Sequence, residues 1–233
     1  MNTQGAKIGI AAAVAAVLLV GLGLWYDNQR GPRTGTDSAN EAQPYVPPTP
    51  MRSLRLAVIG DQYSVADFDA PRPWIRIVSE ARGWFLNSEA GRASGYIAGG
   101  SASFTDKVAG VIRNNPDVIV VAGGREDVVA PDRVREQAEA LYRDLAQTAP
   151  QAKVFVIGPM WDSTPPSPAV LQVNEQVRLA AETAKVPFTD ALGWLSDPAT
   201  DDGQGRLTPE GDQVLADRIS AVLSDLPSEV PGV

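Results

Sequence analysis

From about residue 54 onward, short apolar runs alternate with longer segments in which apolar residues recur every three or four positions. The runs "LRLAVIG" (54–60), "WFLNS" (84–88), "DVIVVAGG" (117–124), "KVFVIGP" (153–159) and "VPFTDA" (186–191) read as strands. The segments at 73–83, 104–114, 131–148, 169–184 and 208–226 carry the helical period. Pro131 opens the third of these, and Thr208 is placed to cap the last, with Pro209 in its first turn. "DVIVV" is β-branched and apolar at successive positions, as a strand covered on both faces must be. Strand and helix in alternation predict a parallel sheet with right-handed crossovers, covered by helices on both sides. The expected fold class is therefore α/β, a three-layer α/β/α sandwich. In such sheets ligands bind beyond the carboxyl ends of the strands, so the loops after Ile59, Ala122, Ile157 and Thr189 are the ones to inspect.

The first quarter of the chain is different. Residues 8–25 carry no charge, and Trp25 and Tyr26 close the run. Roughly 20 apolar residues cross a hydrocarbon core, and aromatic residues anchor at its boundary. We expect one N-terminal transmembrane helix at 8–26 after a short tail at 1–7. No small-x-small cleavage pattern follows, so the segment reads as an uncleaved signal-anchor rather than a removed leader. Lys7 before it is nearly balanced by Arg30 and Arg33 after it. The short tail and large following domain favour a domain outside the cytoplasm. Residues 27–52 are polar and proline-rich and read as a tether. The globular domain is then expected at 53–226, with a tail at 227–233.

Composition narrows the chemistry. The 233 residues carry a net charge of -8, which argues against nucleic acid as a partner because that affinity rests on Lys and Arg. Cysteine is absent, so there are no disulfides and no thiolate chemistry. Histidine is absent too, which removes the usual general base of a serine nucleophile and the usual nitrogen ligand of a metal. No cofactor and no metal are expected.

Four segments, "VIGDQYS", "RASGYIAGG", "VVAGGREDV" and "DGQGRLTPEGDQVLADRI", occur in the order and spacing of the SGNH (GDSL-type) hydrolases. The domain resembles that family along its whole length. The resemblance implies a flavodoxin-like α/β/α fold and cleavage of acyl esters on lipids or carbohydrates. It also implies where the active site should lie. Gly60 and Asp61 match the family's first motif, but Gln62 stands where it has the nucleophilic serine. Gly95, with Gly100 as second choice, matches the glycine whose backbone N–H helps bind the oxyanion. Gly124 and Asp127 match the third motif, but Glu126 replaces its asparagine. A carboxylate there would repel a developing oxyanion. Before the last helix, the aspartate position falls on Gly203 or Asp202, and the histidine position on Arg206. Arginine stays protonated and cannot serve as the base.

The expected binding cleft comprises Asp61, Gln62, Gly95, Gly124, Glu126, Asp127, Trp161 and Arg206. Glu126 and Arg206 are expected to pair across the old catalytic centre and plug it. Asp61 is expected to order its loop through backbone N–H groups. Ser64 is the candidate substitute nucleophile, with Ser101 and Ser103 behind it. Asp61, Glu126, Asp127 and Asp202 could instead converge as acid–base or cation-binding carboxylates. Trp161 could stack on a sugar or cover an acyl chain. The functional expectation is a membrane-anchored, catalytically inactive domain that binds or scaffolds in a bacterial envelope. Its partner would be the membrane through residues 8–26, together with a glycan, acyl-ester or envelope-protein ligand. The alternatives are an active esterase or acyltransferase with a non-standard nucleophile, and a structural subunit of an envelope complex.

Overall fold

The computed structural model describes residues 47–65, 72–162, 165–203 and 205–232. The chain divides after Pro48, and the compact unit begins at Thr49. The expected span at 8–26 and most of the tether lie outside the described residues. Among the described residues no helix is long and apolar enough to cross a membrane.

In chain order the strands are β1 (Met51–Ser53), β2 (Arg55–Gly60), β3 (Phe85–Ala90), β4 (Val118–Ala122), β5 (Lys153–Ile157), β6 (Phe188–Thr189) and β7 (Glu229–Pro231). The α-helices are α1 (Trp74–Arg82), α2 (Val108–Val111), α3 (Val134–Thr148), α4 (Pro168–Ala184) and α5 (Pro209–Val222). Strands β2 to β6 form one five-stranded sheet in the order β3-β2-β4-β5-β6. Every pairing in it is parallel. This is the doubly wound arrangement expected of strands and helices in alternation. The chain starts near the middle, steps outward to β3, then crosses back through β4 to β6.

The alternation of side chains along each strand sorts the core into two halves. Leu56, Val58, Val120 and Ala122 face one way, against Trp74, Ile75 and Val78 of α1 and Leu215 and Ile219 of α5. Ala57, Ile59, Ile119 and Val121 face the other, against Val111 of α2, Leu141 and Leu145 of α3, and Val173 and Val177 of α4. Each such side chain, fully buried, contributes about 1.5–3 kcal/mol of hydrophobic transfer energy. That explains why these strands are apolar at consecutive positions.

Helix ends set where the loops leave. α1 begins after Pro73 and has no side-chain cap of its own. Its first N–H, at Trp74, is instead accepted at 2.9 Å by the buried Asp212 of α5. It ends at Gly83, whose φ of +66° turns the chain into β3. Thr208 caps α5 as expected, accepting the Gly211 N–H at 3.1 Å.

Two departures from the sequence reading have clear causes. The segment 104–114 is not one helix but two 3-10 turns around the single-turn α2. The Asn87 side chain of β3 donates to the carbonyls of Gly110 and Val111, at 3.0 and 3.3 Å, and so diverts them from a continuing helix. Residues 51–53 and 229–231, read as tether and tail, pair as an antiparallel ribbon. Arg52 locks this ribbon to the main sheet. Its guanidinium donates to both oxygens of Asp117, at 2.6 and 2.8 Å, and the Arg55 N–H joins the same carboxylate at 2.8 Å. A three-residue strand has too little pattern to be seen in the sequence.

Replacing Asp117 with Ala leaves the Arg52 guanidinium and the Arg55 amide without their acceptor. We expect a loss of about 2 kcal/mol. Amide exchange should quicken at 51–53 and 229–231 first. A thermal unfolding curve with residue-level hydrogen exchange checks both.

Candidate functional site at the carboxyl edge of the sheet

The loop after β2 starts with Asp61, which is fully buried. One carboxylate oxygen accepts the Tyr63 N–H at 3.1 Å and so caps the 3-10 turn Gln62–Ser64. Among the described residues the other makes no hydrogen bond of good geometry, although the Arg125 N–H lies near enough to favour its charge. That oxygen lies against Gly123, where any Cβ would come within 2.6 Å of it, and Gly123 has a φ of +145°. Desolvation pushes the Asp61 carboxyl up to about 7, although the Tyr63 amide favours its charged form. The expected loop-ordering role of Asp61 is what the geometry describes.

Gln62, at the nucleophile position, reaches across the cleft. Its Nε2 donates to the carbonyl of Gly205 at 2.9 Å, in the loop before α5. Beside it the Tyr63 hydroxyl donates to Asp201 at 3.1 Å. Ser64 is fully buried, and its Oγ has no partner. It fills the space that a side chain on Gly60 would need. Enclosed in this way, Ser64 has no base within hydrogen-bond reach among the described residues.

The loop after β3 is held by Asp127, buried at the end of β4. Its carboxylate accepts the N–H groups of Tyr96 and Ile97 at 3.0 and 2.9 Å. It presses so closely on Gly95 that a Cβ there would stand 2.5 Å from an oxygen. Burial raises the Asp127 carboxyl to about 6. The Gly95 N–H, the expected oxyanion donor, is taken by the carbonyl of Ala102 at 3.2 Å. Gly100 lies in an exposed turn. Ser103 accepts the Thr105 N–H, and Ser101 is exposed.

The centre of the site is Arg125, a residue the sequence reading passed over. It follows Gly124, whose φ of +123° turns the chain sharply out of β4. Its guanidinium grips both oxygens of Asp162, at 2.9 and 3.1 Å. It also lies 4.5 Å from the ring centre of Trp161 and 5.1 Å from that of Tyr63. Both members of the ion pair are only 17% exposed. The expected Glu126–Arg206 pair does not form. Arg206 is exposed and bonds Asp202, four residues back, with a 2.8 Å contact from Nε. Gly203 and Gly205, both at positive φ, fold that loop on itself and bring Asp202 nearer than Glu126. Glu126 makes no hydrogen bond or ion pair among the described residues. The ion pair in the cleft is Arg125–Asp162, not the expected Glu126–Arg206.

Asp61, Gln62, Arg125, Asp127 and Trp161 lie in the loops beyond the carboxyl ends of β2, β4 and β5; Arg125 was not among the expected residues. Among the described residues the arrangement does not bring together a hydroxyl, a base and an oxyanion donor. Among the described residues no group of three or more potential metal ligands is placed to hold an ion.

The order of strands and the position of these loops match known acyl hydrolases. The profile of the GDSL-like lipase/acylhydrolase family covers residues 59–214, and the chain belongs to this family. A GDSL lipase of Mycobacterium tuberculosis is 24% identical over 189 residues, covering 72% of this chain and 81% of that protein. Among solved structures, an acetyl xylan esterase superposes with a TM-score of 0.61 at 16% identity, over 73% of this chain and 100% of its own. The psychrotrophic esterase EstA of Pseudoalteromonas sp. does so with a TM-score of 0.60 at 10% identity, over 73% of this chain and 96% of its own. At such identities the structural likeness speaks for the fold alone.

Two predictions follow from the buried charges. Asp61 and Asp127 titrate at about 7 and about 6 in the folded protein, against an ordinary 3.8. The folded state therefore holds these protons more tightly than the unfolded chain. The stability they add is present below about pH 4 and is lost as pH rises to about 7. The midpoint of thermal unfolding should fall across that window, and Asp61→Asn, neutral at every pH, should flatten much of the fall. Separately, Arg125→Ala strands Asp162 and opens the space between Tyr63 and Trp161. We expect it to cost about 2 kcal/mol and to red-shift tryptophan emission. Arg125→Lys should restore little, because an ammonium cannot make the bidentate contact and stack at once.

Proposed function

We propose that this chain is a membrane-anchored GDSL-type domain that no longer hydrolyses esters and that binds or scaffolds in a bacterial envelope. The observation that carries the reading is Gln62. Its amide occupies the nucleophile position and is tied to Gly205, in a chain that contains no histidine. An amide does not attack an acyl carbon, and no imidazole exists to activate a hydroxyl. The Gly95 N–H that would bind an oxyanion is already engaged, and Glu126 stands where an amide donor would be needed. The family's strand-end loops remain and present Trp161 beside a fixed guanidinium. A flat aromatic surface next to a neutralised cation suits the face of a sugar or an acylated glycan better than a free carboxylate. The anchored half of the reading rests on the uncharged run at 8–25 with its terminal Trp25 and Tyr26.

The test is an activity screen on the full chain in mild detergent, with short-chain aryl esters. We expect no turnover above buffer, and none gained by Gln62→Ser alone, because that serine still lacks a base. Turnover abolished by Ser64→Ala would overturn the reading in favour of an active esterase. Retention of the chain in membranes after alkaline extraction checks the anchor independently.

A further inference from the structure

The carboxyl edge holds Asp61, Asp127, Asp162, Asp201 and Asp202, with Arg125 and Arg206 paired to two of them. The amino edge opens as a trough of about 500 Å³ whose lining includes Arg52, Arg55, Arg113, Asn115 and Phe85. Arg55 is the first residue of β2 and Phe85 the first of β3, paired side by side. Lys153, the first residue of β5, lies along the same edge. The acid here, Asp117, is already neutralised by Arg52. The side chains of Arg55 and Arg113 form no hydrogen bond or ion pair among the described residues. A protein with net charge -8 thus gathers Arg52, Arg55 and Arg113 in one trough, with Asp117 beside the first two.

That face is also greasy at its rim. Phe85 is 53% exposed, and Met51, next to Arg52 in β1, is 55% exposed. Large apolar side chains standing free beside cations have the chemistry of a membrane-contact surface rather than of an ordinary solvated edge. The chain also enters the domain here. Met51 follows directly on the residues that would connect to the anchor, and the Gly232 N–H fastens Pro50 at 2.7 Å.

We propose that the amino edge of the sheet docks on the phosphate head groups of an acidic phospholipid surface. Arg55 and Arg113 take phosphate oxygens, and Phe85 and Met51 enter the head-group layer. Guanidinium suits this role because its planar fork matches two phosphate oxygens at once. Docking would turn the acidic carboxyl edge, with its cleft, away from the bilayer, where like charge would otherwise repel it. This proposal rests on the anchored reading above, because the tether is what holds the edge close to lipid.

The test uses the full chain reconstituted in nanodiscs of phosphatidylcholine, with and without phosphatidylglycerol. Amide exchange is followed at 51–53 and 113–115. We expect slower exchange in the acidic discs only, reversed by high salt. The double variant Arg55→Gln/Arg113→Gln, with its unfolding midpoint unchanged, should lose most of that protection. Two arginines at an acidic surface shift docking by roughly thirtyfold at low salt. Equal exchange in both kinds of disc would overturn the proposal. So would equal slowing by inorganic phosphate in neutral discs, which would mark a soluble-phosphate site instead. Alkaline extraction separates the two readings. If the chain is released, the anchor fails, and the docking surface then stands or falls on whether the wild type floats with phosphatidylglycerol vesicles while the double variant does not.

Discussion

Two carboxylates buried at the ends of neighbouring strands hold the functional edge of this domain in shape. Asp61 receives the amide that closes the loop after β2, and Asp127 receives two amides from the loop after β3. Each sits against a glycine, Gly123 and Gly95, whose missing side chain leaves room for the oxygen atoms. Burial raises both carboxyls well above their ordinary range, so the loops depend on groups that protonate near neutrality. Positions that must stay small and positions that must stay acidic therefore come in pairs. This pairing holds the loops at the carboxyl edge of the sheet in place.

Within that frame the cleft is occupied from inside. Arg125 lies between two aromatic rings and is held by Asp162, while Gln62 bridges to Gly205. These contacts join the loops after β2, β4 and β5 to the loop before α5. In a working hydrolase that junction has to stay open for substrate and for the moving proton. Here a guanidinium paired with a carboxylate and a hydrogen-bonded amide stand in it. The same closure keeps Trp161 beside the guanidinium, which is the feature a binding role would use.

The opposite edge has a separate logic. There the short ribbon of β1 and β7 is locked to the sheet by Arg52 and Asp117, and Arg55 and Arg113 line the trough beside them.

The parallel sheet was legible because buried strands must be apolar on both faces, as "VIVVA" is, and because helices must carry a stripe. Caps such as Thr208 were legible for the same local reason. So were the departures from the family motifs, since Gln62 and the absence of histidine are facts of composition and spacing. The break in the segment 104–114 was hidden, because it depends on an asparagine of a distant strand taking two carbonyls. The ribbon was hidden because three residues hold no period. Arg125 was missed and Arg206 misassigned because charge complementarity alone does not say which acid is nearest. The turns at Gly124, Gly203 and Gly205 decide that, by aiming one guanidinium into the cleft and the other back onto its own loop. Local pattern determined which elements exist and which chemistry is missing. Only the tertiary structure decided which side chains meet, because distance between loops is set by the packing of the sheet beneath them.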